Sequence, residues 1–189
     1  MRNSHGFSLI ELCIIIAIFS LLMAGVLGSQ NLSRDTARID SEKVALSTIQ
    51  KSIQAFYQKN KYLPCPASRS AAPDTAAFGI STDCLLGVAP AGTQDVGTLT
   101  DDYQLRMGAL PTRSLSISDR LSIDPWGNRF TYIIIRKLAI DAASYTAYAP
   151  TATTDYFQIV DNTGAVTYGT SPTTIVAYAI VTHGTDGRG

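Results

Sequence analysis

Residues 7–28 read FSLIELCIIIAIFSLLMAGVLG, and this stretch decides the fold. From Leu12 to Gly28 no residue carries a charge. Taken back to Phe7, the run covers about 30 Å as a helix, the thickness of a bilayer's hydrocarbon core. Three structures suit such a run. A buried core helix rarely stays apolar on every face in so small a protein. A cleavable secretory signal finds small residues at Val26-Leu27-Gly28, but its basic region would be Arg2 alone and Glu11 would interrupt its apolar core. A lipoprotein signal fails because Cys13 follows Ile10-Glu11-Leu12, not a box of small residues. A membrane anchor fits best.

The rest of the composition agrees with an anchored chain. Of 189 residues 46% are hydrophobic and only 16% charged, against about 25% charged in an average soluble domain. Fifteen bases cancel fifteen acids, which excludes a strongly basic nucleic-acid binder and an acidic disordered chain. The zero is a sum of unlike parts. Arg34 to Lys61 carries six bases against three acids, and Tyr62 onward carries eight bases against eleven. A basic stem therefore precedes an acidic head.

Glu11 is the anomaly in the anchor, since a carboxylate there costs about 2–3 kcal/mol to insert and commonly marks function. Its neighbours supply a context. Gly6-Phe7-Ser8-Leu9-Ile10-Glu11 resembles the processing site of type IV prepilins and type II secretion pseudopilins. The resemblance implies a leader, residues 1–6, cut after Gly6 by prepilin peptidase, and N-methylation of the new terminal Phe7. Glu11 falls at the family's glutamate, the fifth residue of the mature chain. The implied role is assembly: its carboxylate would pair with the cationic terminus of a neighbouring subunit, each charge offsetting the other's burial.

Beyond Gly28 no proline stops the helix, and the pattern narrows to one side. Leu32, Ile39, Leu46 and Ile53 fall seven apart, with Ile49 and Phe56 at the alternate positions. The expected division is a transmembrane and assembly helix over 7–28, an amphipathic stem over 29–61, and a periplasmic head over 62–189. The stripe is expected to pack on the head's own sheet for most of its length. Tyr62-Leu63-Pro64-Cys65-Pro66 is expected to break the helix through its two prolines. Residues 67–100 read as loop.

In the head, Arg129–Lys137 (RFTYIIIRK) is the clearest strand. Tyr156–Val160 and Ala165–Tyr168 flank Asp161-Asn162-Thr163-Gly164, a hairpin signature. Thr174–Thr182 (TIVAYAIVT) is apolar enough for a central or well-covered strand. The fold class is α+β: one long N-terminal helix on a small antiparallel sheet, a pilin-like arrangement.

Cys65 and Cys84 are the cysteines outside the anchor, and a disulfide between them suits an oxidising compartment. Two free thiols or a two-ligand metal site are the alternatives, and the metal lacks nearby ligands because the histidines are His5 and His183. Asp124-Pro125-Trp126-Gly127-Asn128 reads as a turn and resembles one common in major pseudopilins, with Trp126 over a sheet edge. The ending His183-Gly184-Thr185-Asp186-Gly187-Arg188-Gly189 resembles their Gly-Asp-Gly loop, which helps bind calcium in that family. Asp186 is the calcium candidate here, short of the six to eight oxygens the ion takes, so the expectation is a flexible Gly-rich ending and no cofactor.

No nucleophile–base constellation, phosphate loop or paired-carboxylate motif stands out, so an enzyme is not expected. The resemblance implies a structural subunit of a pilus or secretion pseudopilus. Its partners would be prepilin peptidase, other pilin or pseudopilin subunits and an inner-membrane assembly platform, with the anchor in the inner membrane and nucleic acid not among the partners. The alternative is a minor pilin acting as an adhesion or DNA-uptake module at a fibre tip.

Overall fold

The computed structural model describes residues 9–85, 89–96, 104–149, 157–170 and 175–187, without the side chains of 24–33. Helix α1 runs Leu9–Asn60 as one element, passing through Gly25 and Gly28 unbroken. The chain divides into two compact units, Met1–Ser41 and Glu42–Gly189. Among the described residues the first is helix alone. The second joins the last part of α1 to the sheet, so its core begins inside the stem.

The end of α1 differs from expectation in its cause. The helix stops at Asn60, ahead of both prolines, where Lys61 adopts a left-handed φ of 66°. The Lys61 N–H donates to the Tyr57 carbonyl at 2.7 Å, closing the last turn. Pro64 and Pro66 are buried in the extended segment that follows.

Four strands form the main sheet: β1 (Gln94–Val96), β2 (Leu105–Ala109), β3 (Thr131–Ile135) and β6 (Tyr178–Val181), in the order β1-β2-β3-β6. Every pairing is antiparallel. Strand β3 falls inside the expected RFTYIIIRK segment, whose end turns into a short 3-10 helix, Arg136–Ala139. Strands β4 (Ile159–Val160) and β5 (Val166–Tyr168) make the expected hairpin as a separate two-stranded sheet. Its turn is held by Asp161, whose Oδ1 accepts from the Thr163 hydroxyl (2.6 Å) and from the N–H groups of Thr163 and Ala165. Those bonds, the Thr163 side chain foremost, hold the carboxyl below its ordinary pKa. A short helix, α2 (Ala142–Thr146), opens on Asp141, which accepts from the Ser144 N–H at 2.7 Å.

Strands β1 and β2 lie where a loop or no element was expected, and β6 is not central. Among the described residues β6 closes one end of the sheet, half-buried along its whole length. Residues 150–156 and 171–174, which include the starts of two expected strands, lie outside the described residues.

One core fills the second unit. Ile49 and Ile53 of α1 are completely or almost completely buried and belong to one cluster with Leu110, Phe130, Tyr132, Ile134, Ile135 and Leu138. Leu46 and Phe56 pack against that cluster, so the sequence stripe is a true packing face from Leu46 onward. Ile39 belongs to the same stripe and stays 45% exposed, which limits the expected cover to the helix's last turns. Burial also raises the Tyr132 phenol well above its ordinary pKa, with Tyr178 beside it adding to the effect.

Residues 67–85 hold their place without a helix or strand of their own. Cys65 and Cys84 form a disulfide, with Cα atoms 5.8 Å apart. Arg113 donates to the Thr75 carbonyl at 2.8 Å, and Arg129 donates to those of Arg69 (2.8 Å) and Ala71 (3.1 Å). Both guanidinium groups lie over the ring of buried Phe78, 5.5 and 5.0 Å from its centroid. These arginines, together with backbone bridges from Ala67 to Ser81 and Ala109, hold the loop.

Candidate processing and assembly site

The expected processing residues, Gly6 and Phe7, lie outside the described residues. Glu11 is placed in the first turn of α1 and is exposed. Around it the helix is apolar on all sides and uncovered. Leu9 is 81% exposed and Leu21 77%, and Ile10, Ile14, Ile16, Ile18, Phe19 and Leu22 are all more than half exposed. Cys13, a free thiol, is exposed on the same segment.

That degree of exposure has a physical meaning. Fully burying one such side chain is worth about 1.5–3 kcal/mol, and contiguous apolar patches beyond a few hundred Å² mark interaction or membrane surfaces. Leu9–Met23 supplies eleven such side chains in fifteen residues, with one carboxylate near their start. Among the described residues no helix is long and apolar enough to cross a membrane. The expected span, 7–28, begins and ends beyond the described side chains.

The chain's first 27 residues match the family model for the prokaryotic N-terminal methylation motif. The chain carries the type IV pilin and pseudopilin signature. The match covers the expected leader and cleavage position, Glu11 and the whole exposed apolar run Leu9–Met23, and the α+β layout described above is pilin-like. No curated protein matches the chain, and no solved structure does. The motif marks a pilin- or pseudopilin-like substrate of prepilin peptidase, made to assemble with other subunits.

The other expected site residues sit in the second unit. The disulfide joins Cys65, five residues past the end of α1, to Cys84 in the following loop. The Asp124 turn is a closed structure: Asp124, buried, accepts on Oδ1 from the N–H groups of Asn128 (2.8 Å) and Trp126 (3.0 Å). Trp126 is half-buried, and its ring N–H finds no acceptor among the described residues.

The expected loose Gly-rich ending is held at its start, from Thr182 to Gly184. Asn128 Nδ2 donates to the Gly184 carbonyl at 2.8 Å, and Thr131 Oγ1 lies 2.7 Å from His183 Nε2. The His183 N–H and the Thr182 hydroxyl both reach Asp124 Oδ2 at 3.3 Å. One turn therefore organises the chain's last described strand and its exit. Asp186 is exposed, and among the described residues no three His, Cys, Asp or Glu side chains gather as a metal site.

Two residues of structural weight escaped the sequence reading. Arg106, in the middle of β2, is 0% exposed, and its Nε and Nη2 donate to the Asp95 carboxylate at 2.7 and 3.0 Å. Asp95 also lies 3.5 Å from buried Arg136, which donates to Gln104 Oε1 at 2.8 Å. An arginine in a strand gives no sign of its burial until its acid is known.

Proposed function

We propose that this protein is a structural subunit of a pilus or secretion pseudopilus, cleaved after Gly6, N-methylated at Phe7 and anchored in the inner membrane until it polymerises. The observation that carries this is the methylation motif over residues 1–27. The uncovered apolar helix supports it, since among the described residues Leu9–Met23 has no partner surface in its own unit to bury against. In a filament, anchors would cover one another. Glu11 would then pair with the methylated ammonium of a neighbouring Phe7 in a medium of low dielectric, where an isolated charge is costly and a paired one is not. The second unit, with its own core and disulfide, would stand in the periplasm or along the fibre surface.

The test is co-expression with a prepilin peptidase and intact-mass measurement. Wild-type protein should lose residues 1–6 and gain one methyl group. Gly6→Ala should keep the precursor mass. A variant cut as fast as wild type, or a wild type never cut, would contradict the proposal.

A further inference from the structure

The disulfide and the first strand of the sheet meet at one buried side chain. Arg106 gives two of its N–H groups to Asp95 of β1, and its Nη1 donates at 2.7 Å to the carbonyl of Asp83. Asp83 directly precedes Cys84, so the disulfide fixes where that carbonyl stands. Apart from the Asp95 ion pairs, with Arg106 and at 3.5 Å with Arg136, strand β1 is weakly held. It has three residues, none fully buried, and among the described residues it pairs only with β2, through Gln94, Asp95 and Val96.

We infer that the Cys65–Cys84 disulfide governs the attachment of β1 to the sheet, with Arg106 as the link. Opening the bridge frees the segment that carries Asp83. Flanking hydrogen bonds from the Ser81 and Thr82 hydroxyls to the Cys65 and Pro66 carbonyls remain, each individually weaker than the cross-link. As the Asp83 carbonyl withdraws, a guanidinium with no exposure loses an acceptor, and a buried cation left short of partners is driven toward water. The ion pair with Asp95 then loses its shelter, and β1 frays. Strand β3 and its pairing with β6 lie on the far side of β2 and keep their own ladder. The head thereby acquires a redox-dependent edge: its fourth strand is secured only where disulfides form. Closing the bridge removes two electrons and two protons from the two thiols. A disulfide-bearing oxidant accepts them and leaves as a dithiol. This coupling stands independently of the pilin proposal.

Amide hydrogen exchange on the full chain in detergent micelles tests it, comparing the oxidised protein, the dithiothreitol-reduced protein and the Cys65→Ala/Cys84→Ala variant. Reduction should speed exchange at the β1 amides that face β2 by about ten- to hundredfold, the range set by losing one charged hydrogen bond. Amides of β3 and β6 should change far less. Arg106→Gln, with its disulfide intact, should loosen the same amides. Unchanged protection of β1 after reduction would overturn the inference. So would equal loss across β1, β3 and β6, because the bridge would then support the whole head and not this strand.

Discussion

One helix, two fates: Leu9–Met23 and Leu46–Phe56 are both segments of α1, and both are rich in Ile and Leu. In the second, Ile49 and Ile53 have 0% and 1% exposure; in the first, no isoleucine falls below 43%. Helix propensity does not separate them. The difference is pattern. Leu46, Ile49, Ile53 and Phe56 lie on one stripe with polar residues between, so a single sheet can cover them. The first segment is apolar all round, and no single surface of its own chain can bury it. A helix of that kind calls for lipid or for many copies of itself.

The comparison can be broken most sharply at the packing face. Ile53→Ala should destabilise the second unit by about 2–5 kcal/mol, the range for a buried Ile or Leu cut to Ala. Ile18→Ala should leave its thermal midpoint unchanged and affect only assembly or membrane retention. Equal losses from the two substitutions in chemical denaturation would erase the distinction. Next in size is the cross-link: removing both cysteines should cost about 2–4 kcal/mol, because the bridge closes a loop spanning 19 positions. A non-reduced peptide map would first establish the bond in the purified protein. The smallest effect lies at the helix end. Lys61→Gly should raise stability by roughly 0.5–1 kcal/mol, since its φ of 66° costs a side-chain-bearing residue and not glycine. A loss in the same denaturation curve would mean that the Lys61 side chain contributes more than its backbone costs.

The parts legible in the sequence were those whose physics is local. An unbroken apolar run, a seven-residue stripe, RFTYIIIRK and the Asp161 turn each carry their structure in nearby residues, although the stripe packs only from Leu46 onward and the strand is Thr131–Ile135. The parts that were not legible depend on distant partners. Arg106 makes LRMGA look too polar for a strand interior, yet Asp95 and the Asp83 carbonyl permit its burial. Gly108 weakens the strand pattern as well, and its reason is remote: a Cβ there would lie 2.6 Å from the Ala67 carbonyl of the loop crossing it. The apolar TIVAYAIVT suits a central or well-covered strand, and β6 is a half-buried end strand among the described residues, because pattern reports hydrophobicity and not order in the sheet. His183 and Gly184 looked loose because nothing nearby showed that Asp124 and Asn128, more than fifty positions upstream, would hold them.

At the site itself, the motif was legible and the geometry of its use was not. Gly6, Phe7 and Glu11 can be read from six adjacent residues, but a pairing between subunits leaves no trace in one chain. The exposed surface around Glu11 is what that pairing would predict of a monomer.

The most direct measurement is therefore incorporation of Glu11→Ala into filaments, scored beside wild type with membrane insertion and leader cleavage monitored in the same cells. Normal insertion and cleavage with sharply reduced incorporation is the predicted result. Incorporation at the wild-type level would contradict the account of why an apolar helix carries that one carboxylate.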